Sequence, residues 1–293
     1  MNIAIKRLFR SLHHKQILFR VRSAKITKLQ RSVNANEDII VSLTSYGLRL
    51  QTCHLAIRSL FQQTIRPNRI QLYIGSESAE VSLPDSLLEL QEYGLEIIRD
   101  VDNLKSHKKY FFCMQANPNN TVITVDDDCI YPSDMIENLF TTSLQFPQAV
   151  IARRVHRIVV RNGQVSPYSN WNFEWVDKCL QPRNSLIAVG VGGILYPAGF
   201  ADSSLLDANA IFQNALSADD IWLKCYESYR KISVVWAPNN QPHPIQLKST
   251  LNDGLNLMNI SQNRNDIALK MCMKHFNLSS DMFIDHNVNC DIL

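Results

Sequence analysis

The chain has 293 residues, 45 % of them hydrophobic, enough for one large α/β domain or two small ones. Its net charge of +3 conceals a split: residues 1–36 carry nine Lys and Arg and no Asp or Glu, whereas the rest is mildly acidic, which favours an anionic surface as partner over nucleic acid. No apolar run is long enough to span a bilayer, no secretory leader is visible, and the seven cysteines lack CxxC spacing, so the sequence predicts a cytoplasmic protein with reduced thiols and no zinc site.

Residues 2–30 space Ile3, Ile5, Leu8, Phe9, Leu12, Ile17, Leu18, Phe19 and Val21 at roughly helical intervals among Lys and Arg. That pattern fits a helix lying in the headgroup plane of an anionic membrane, or a basic helix packed on the domain; the reading favours the membrane surface, over residues 1–31. Residues 38–45 (DIIVSLTS) predict a first core strand with a polar exit. Residues 48–63 predict an amphipathic helix with Leu55, Ile57, Leu60 and Phe61 inward, ended before Pro67. Strands over 69–75, 95–99 and 121–125 alternate with helices over 83–93 and 105–117. Unbroken alternation predicts parallel pairing in a doubly wound sheet.

After residue 128 the pattern changes. A helix is expected over 133–146, then strands over 150–154 and 157–160 with Asn162-Gly163 as a hairpin turn. Trp171, Phe173 and Trp175 lie in a polar loop, where they either stack on a ligand or cover the core. Residues 188–197 read as a strand carrying Gly190, Gly192 and Gly193, which weaken it unless a backbone or ligand approaches closely. A helix over 219–230, a strand over 232–236, an irregular loop over 238–244 with His243 and a helix over 266–276 complete the series.

The sharpest local signal is Thr121 to Pro132. Val122, Ile123 and Val125 form a buried strand, and Asp126, Asp127 and Asp128 follow at once. Adjacent carboxylates raise one another's pKa and resist desolvation, a cost that a divalent cation relieves; hard oxygen ligands suit Mg²⁺ or Mn²⁺. Strand alternation would point Asp126 and Asp128 to one side and Asp127 to the other. The competing reading is a solvated acidic turn at a helix start. Asp219 and Asp220 likewise open a helix, where Asp is favoured as a cap and by the dipole; Asp219 reads equally as cap or catalytic group, Asp220 more as the latter.

Together and in this order, SLTSYGLR (42–49), HKKYFFCMQANP (107–118), TVDDDCIYP (124–132), GVGGILYP (190–197) and SADDIWLK (217–224) resemble the bacterial family 2-type glycosyltransferases of the GT-A fold. The likeness is to the branch serving capsule, O-antigen and lipopolysaccharide synthesis, over roughly residues 38–276. It implies a Rossmann-like α/β GT-A domain, with a doubly wound, mostly parallel sheet and a smaller mixed region on the acceptor side. The expected division is a basic arm (1–36), a catalytic domain (37–276) with nucleotide-binding (37–130) and acceptor (131–276) halves, and a polar tail (277–293). The implied donor is a nucleotide-diphosphate-sugar, the implied cofactor Mn²⁺ or Mg²⁺, and the implied reaction an inverting transfer to a polysaccharide or lipid-linked glycan at the inner face of the cytoplasmic membrane.

Carried over by position, the resemblance gives Thr44, Ser45 and Tyr46 to the loop that cradles the nucleoside, with Arg49 reaching the same ligand. Asp100 or Asp102 would meet the base, and Lys109 the nucleotide or diphosphate. Asp126 matches the ribose-facing position of the DXD motif and, with Asp128, its metal ligands; Asp127 stands between them in the donor site. Gly192 and Gly193 match the loop beside the donor sugar. The usual Glu-Asp acid pair is Asp219-Asp220 here, with Asp220 favoured as base. His243 falls where many such enzymes keep a metal-binding histidine, a match of position only.

The chemistry requires two acidic sites. Breaking an anomeric C–O bond expels a diphosphate that gathers charge, and the acceptor hydroxyl needs a carboxylate base. Asp126/Asp128 and Asp219/Asp220 supply them. A sugar-1-phosphate nucleotidyltransferase would need a glycine- and base-rich loop after the first strand, where TSYGLR has one glycine. A non-catalytic GT-A-like binding subunit is the other alternative, and no His-rich set supports a metal-dependent phosphohydrolase.

Overall fold

The computed structural model describes residues 14–34, 38–238, 244–247 and 263–285. After α1 (residues 14–23), the first half runs β1 (Ile39–Ser45), α2 (Cys53–Phe61), β2 (Arg69–Gly75), α3 (Asp85–Leu88), β3 (Leu95–Val101), α4 (Lys108–Ala116) and β4 (Thr121–Thr124). Ile40, Val41 and Leu43 of β1 are fully buried, as expected of a strand covered on both faces. The four strands pair in the order β3-β2-β1-β4, all parallel. Each parallel step needs a crossover, which α2 to α4 provide.

The second half holds β5 (Cys129–Ile130), α5 (Met135–Gln145), β6 (Val150–Ala152), β7 (Val155–Arg157), β8 (Val160–Arg161), β9 (Gln164–Val165), β10 (Leu186–Ala188), β11 (Ile194–Tyr196), α6 (Ala208–Asn214), α7 (Asp219–Tyr229), β12 (Val234–Trp236), β13 (Ile245–Gln246) and α8 (Arg264–His275). β11 adds to β4 antiparallel, β6 adds to β11 antiparallel, and β12 adds to β6 parallel, completing a seven-stranded sheet. The strand expected over 188–197 is two strands: a 3₁₀ turn at Gly190–Gly192 separates β10, paired with β7, from β11 in the main sheet. Asn162 and Gly163, with φ of 50° and 72°, form the tight turn between β8 and β9. The helix expected over 83–93 is α-helical only to Leu88 and continues as 3₁₀ to Tyr93.

Two apolar layers flank the sheet. One joins Ile40 and Val122 to Tyr110 of α4, Trp222 and Tyr226 of α7 and Phe276 beyond α8. The other joins Leu43 and Ile123 to Leu60 of α2 and Met135 and Leu139 of α5. A third cluster places Ile17, Leu18 and Val21 of α1 on Leu55, Ile130 and Leu247. Arg58 and Gln62 hold the end of α1 by donating to the carbonyls of Val21, Arg22 and Ala24. Five cysteines (Cys53, Cys113, Cys129, Cys225 and Cys272) are buried free thiols, but Cys179 is disulfide-bonded, which corrects the expectation of thiols throughout. No helix among the described residues is long and apolar enough to cross a membrane.

Candidate active site

The acidic run leaves the carboxyl end of β4, where the parallel half of the sheet meets antiparallel β11, the kind of switch point at which open α/β sheets bind ligands. Val125 N–H still donates to Ser42 O at 3.1 Å, but Asp126 N–H turns to Tyr131 Oη at 2.8 Å. Strand alternation therefore stops at Asp126. Asp127 and Asp128 both fold back onto Arg49. Its Nε lies 3.1 and 3.0 Å from the two Asp127 oxygens, its second amino group bonds Asp127 as well, and that group is 3.1 Å from Asp128 Oδ2. Burial works against the Arg49 charge, but Asp127 and then Asp128 hold the guanidinium cationic. Gln246 of β13 donates to Asp128 Oδ2 at 3.2 Å, and Leu247 N–H donates to Asp128 O at 2.7 Å.

Asp126 faces elsewhere. Its Oδ1 accepts from Lys109 Nζ at 3.0 Å, and the same ammonium is 3.1 Å from Asp219 Oδ2. Lys109 stands in the first turn of α4, and its carbonyl accepts from Ser42 Oγ on β1, so the main sheet fixes its position. Asp219 also accepts from Ser106 Oγ at 2.9 Å. Asp220, next on α7, is met by Gly190 N–H across a long 3.5 Å. A methyl group on Gly190 would lie 2.9 Å from Lys109 Nζ, 3.5 Å from Asp220 Oδ1 and 3.6 Å from Asp126 Oδ1. Residues from β4, α4 and α7 thus converge on one bare backbone position.

The electrostatics separate the two acids of α7. Burial would raise Asp219, but Lys109, with His107 and Ser106, pulls it below the ordinary carboxylate range. Burial and then the Asp219 charge push Asp220 well above that range. Burial also raises Asp126, against the pull of Lys109. Burial opposes the charge of Lys109, but Asp126, Asp219 and Asp220 keep it protonated.

Other residues singled out in the sequence take different places. Thr44 Oγ1 donates to Tyr73 O at 2.8 Å within the sheet. Ser45 is buried, and its hydroxyl has no hydrogen-bond partner among the described residues. Tyr46 is 39 % exposed, with the Arg49 guanidinium 5.6 Å from its ring centre. Asp100, at φ 59°, and Asp102 are exposed and form no hydrogen bond or ion pair with the carboxylate cluster. Gly192 packs against Arg154, where a Cβ would lie 2.9 Å from the backbone nitrogen, and Gly193, at φ 88°, packs against Met135 Sδ. The glycine that meets the acids is Gly190. Lys108, next to Lys109, is buried and paired with Glu77. His243 lies outside the described residues. Ser106 and Gln246 were missed, because a lone Ser or Gln near a helix or short strand carries no sequence signal.

Among the described residues, no group of three or more His, Cys, Asp and Glu could hold a metal ion. Asp128 is engaged by Arg49 and Gln246, whereas Asp126, with 30 % of its side chain exposed and Lys109 on Oδ1 alone among the described residues, keeps Oδ2 as an open carboxylate oxygen. Mg²⁺ commonly binds through one or two carboxylates plus substrate phosphates rather than an all-protein cage. Asp126 fits that partial role.

This mostly parallel seven-stranded sheet, with one antiparallel strand beside β4, is an α/β fold of the GT-A kind. Among solved structures, the mannosyltransferase PcManGT from Pyrobaculum calidifontis in complex with GDP-Man and Mn²⁺ aligns over 93 % of this chain and 74 % of its own, at 10 % identity and a TM-score of 0.52. GalNAc-T7 with UDP, GalNAc and Mn²⁺ aligns over 78 % of this chain at 10 % identity and a TM-score of 0.51; the match spans 47 % of that longer chain. Residues 1–349 of S. aureus TarS align over 83 % of this chain and 73 % of that one, at 15 % identity and a TM-score of 0.47. No protein-family model and no curated protein sequence matches the chain.

Proposed function

We propose that this chain is a glycosyltransferase that moves a sugar, with inversion, from a nucleotide-diphosphate-sugar to a hydroxyl of a cell-surface polysaccharide or lipid-linked glycan. The observation that carries this reading is the meeting of Asp126, Lys109 and the Asp219-Asp220 pair around Gly190, at the ligand-binding edge of a GT-A sheet. Asp220, whose proton affinity is raised, is the base that takes the acceptor hydroxyl proton as the new glycosidic bond forms. Asp219 stays ionised and, with Asp126, aims the Lys109 ammonium at the leaving diphosphate, whose growing charge it offsets. Arg49 holds Asp127 and Asp128 so that the loop presents Asp126. Asp126 would hold a divalent cation together with diphosphate oxygens, and the cation supplies electrostatic stabilisation of the leaving group.

The test is a screen of nucleotide sugars for turnover with Mn²⁺, followed by Asp220→Asn. The variant is expected to lose on the order of 10²-fold or more in kcat, while nucleoside diphosphate binding by calorimetry stays within a few-fold. Wild-type turnover in Asp220→Asn would remove the base assignment. Release of pyrophosphate from a sugar phosphate and a nucleoside triphosphate would replace the whole reading with nucleotidyl transfer.

A further inference from the structure

We propose that the outer face of α1 is a docking surface for an anionic lipid bilayer. The helix is amphipathic, and both of its faces are accounted for separately. Ile17, Leu18 and Val21 are spent on the domain, packed with Leu55, Ile130 and Leu247. The opposite face and the segment after it expose Lys15, Phe19, Arg20, Arg22, Lys25 and Lys28. None of these five cations has an ion-pair partner among the described residues, and residues 1–36 contain no acidic side chain to supply one. Phe19 is 73 % exposed, four residues after Lys15 and three before Arg22, so a large apolar ring stands in the middle of a basic stripe. A ring among cations suits a headgroup layer, where the ring inserts and the charges meet lipid phosphates. It suits a nucleic acid less well, because the remaining domain is acidic.

The helix is held in a fixed pose. Arg58 and Gln62 hold its last carbonyls, and Arg66 and Asn68 hold the chain beyond it at Thr27, Lys28 and Gln30. That pose is tied to the acidic loop. Ile130, under α1, is two residues from Asp128, and Leu247, also under α1, donates its N–H to the Asp128 carbonyl. A bilayer on the outer face of α1 therefore lies one helix away from the loop that carries Asp126. Delivery of a lipid-linked acceptor to that loop rests on the glycosyltransferase reading; the docking itself does not.

The test is co-sedimentation of the full chain with phosphatidylcholine vesicles, with and without phosphatidylglycerol. Wild type is expected to bind only the anionic vesicles, and less tightly as salt rises. Arg20→Ala/Arg22→Ala is expected to weaken binding roughly twenty- to thirtyfold, about fivefold per basic side chain. Phe19→Ser is expected to weaken it further at high salt, where the charges are screened. Equal binding of both vesicle types, wild-type binding by the double variant, or preferential capture of duplex DNA would overturn the proposal. Vesicle binding is read without turnover. Its failure leaves the sugar-transfer reading standing, and an inactive protein that still docks leaves the docking surface standing.

Discussion

Replacing Gly190 by alanine separates chemistry from packing at the proposed site. Gly190 does not occupy the left-handed region, so alanine meets no backbone strain there. Of the methyl's three neighbours only Lys109 Nζ, at 2.9 Å, is too close, and it is the far end of a flexible four-carbon stem. The stem can step aside without moving backbone, so the stability cost is expected to be smaller than where a methyl meets backbone atoms. The step takes the ammonium away from Asp126 and Asp219, which it contacts at 3.0 and 3.1 Å, and the methyl fills space between the acids. A displacement of about 1 Å at a reacting centre costs on the order of 10²-fold, so kcat/KM is expected to fall by about two orders of magnitude. Gly192→Ala is the contrast. Its methyl would lie 2.7 Å from Arg154 Cβ, 2.9 Å from Arg154 N and 3.3 Å from Arg154 Cα, atoms that cannot swing away. Overpacking of that kind costs about 1–3 kcal/mol, or a Tm lower by about 2–5 °C. Sugar-nucleotide turnover and thermal unfolding on both variants read the two effects. Full activity in Gly190→Ala, or a Tm loss equal to that of Gly192→Ala, would refute the assignment.

Two further outcomes follow from buried charge. Asp220 must be ionised to act as a base, yet burial and Asp219 favour its proton, so kcat/KM should rise with pH along a limb well above the ordinary carboxylate value of about 4. Lys109→Met removes a cation that favours ionisation and should move the limb higher still; a limb at ordinary carboxylate pH would exclude Asp220. The second concerns Lys224 and Glu227, 3.6 Å apart, both 1 % exposed, with no hydrogen-bond partner for Nζ or Oε2 among the described residues. Burial raises Glu227 from 4.5 to about 7, so the folded state favours its protonated form; its contribution to stability is full below pH 4.5 and is lost as pH rises through 7. Urea unfolding should show that loss in wild type and a flatter profile in Glu227→Gln. Replacing both residues by Met should be neutral or stabilising by about 1–4 kcal/mol; a large loss would mean that the pair supports the fold.

The first half of the fold was legible because its signals are local. β1, β2 and β4 are β-branched or apolar runs, and Pro67, Gly94 and Asn117-Pro118 punctuate the segments between them. The second half was less legible because its strands are two or three residues long and owe their pairing to distant partners. β11 gives no hint in Ile194–Tyr196 that it runs antiparallel between β4 and β6. α6 went unrecognised because seven residues carry little periodicity; its one usable sign was Asp207, whose side chain accepts from Ala210 N–H as a cap. The 3₁₀ turn at Gly190–Gly192 required knowledge of Arg154, which the turn passes closely.

At the site, the residue types could be read from the sequence but their partners could not. Side-chain alternation holds only while the chain stays extended, and here it ends at Asp126, where the backbone N–H leaves the ladder for Tyr131. Asp127 and Asp128 consequently share Arg49, 78 residues before Asp127, and Asp126 is left to Lys109. Nothing in the spacing announces that exchange, yet it decides the chemistry. Arg49 satisfies two carboxylates, so a single ammonium remains for Asp126, Asp219 and Asp220. One cation cannot hold three neighbouring, partly buried carboxylates ionised at ordinary cost. The excess settles on Asp220 as a raised affinity for a proton, the property a base needs when a hydroxyl must be deprotonated beside a departing diphosphate.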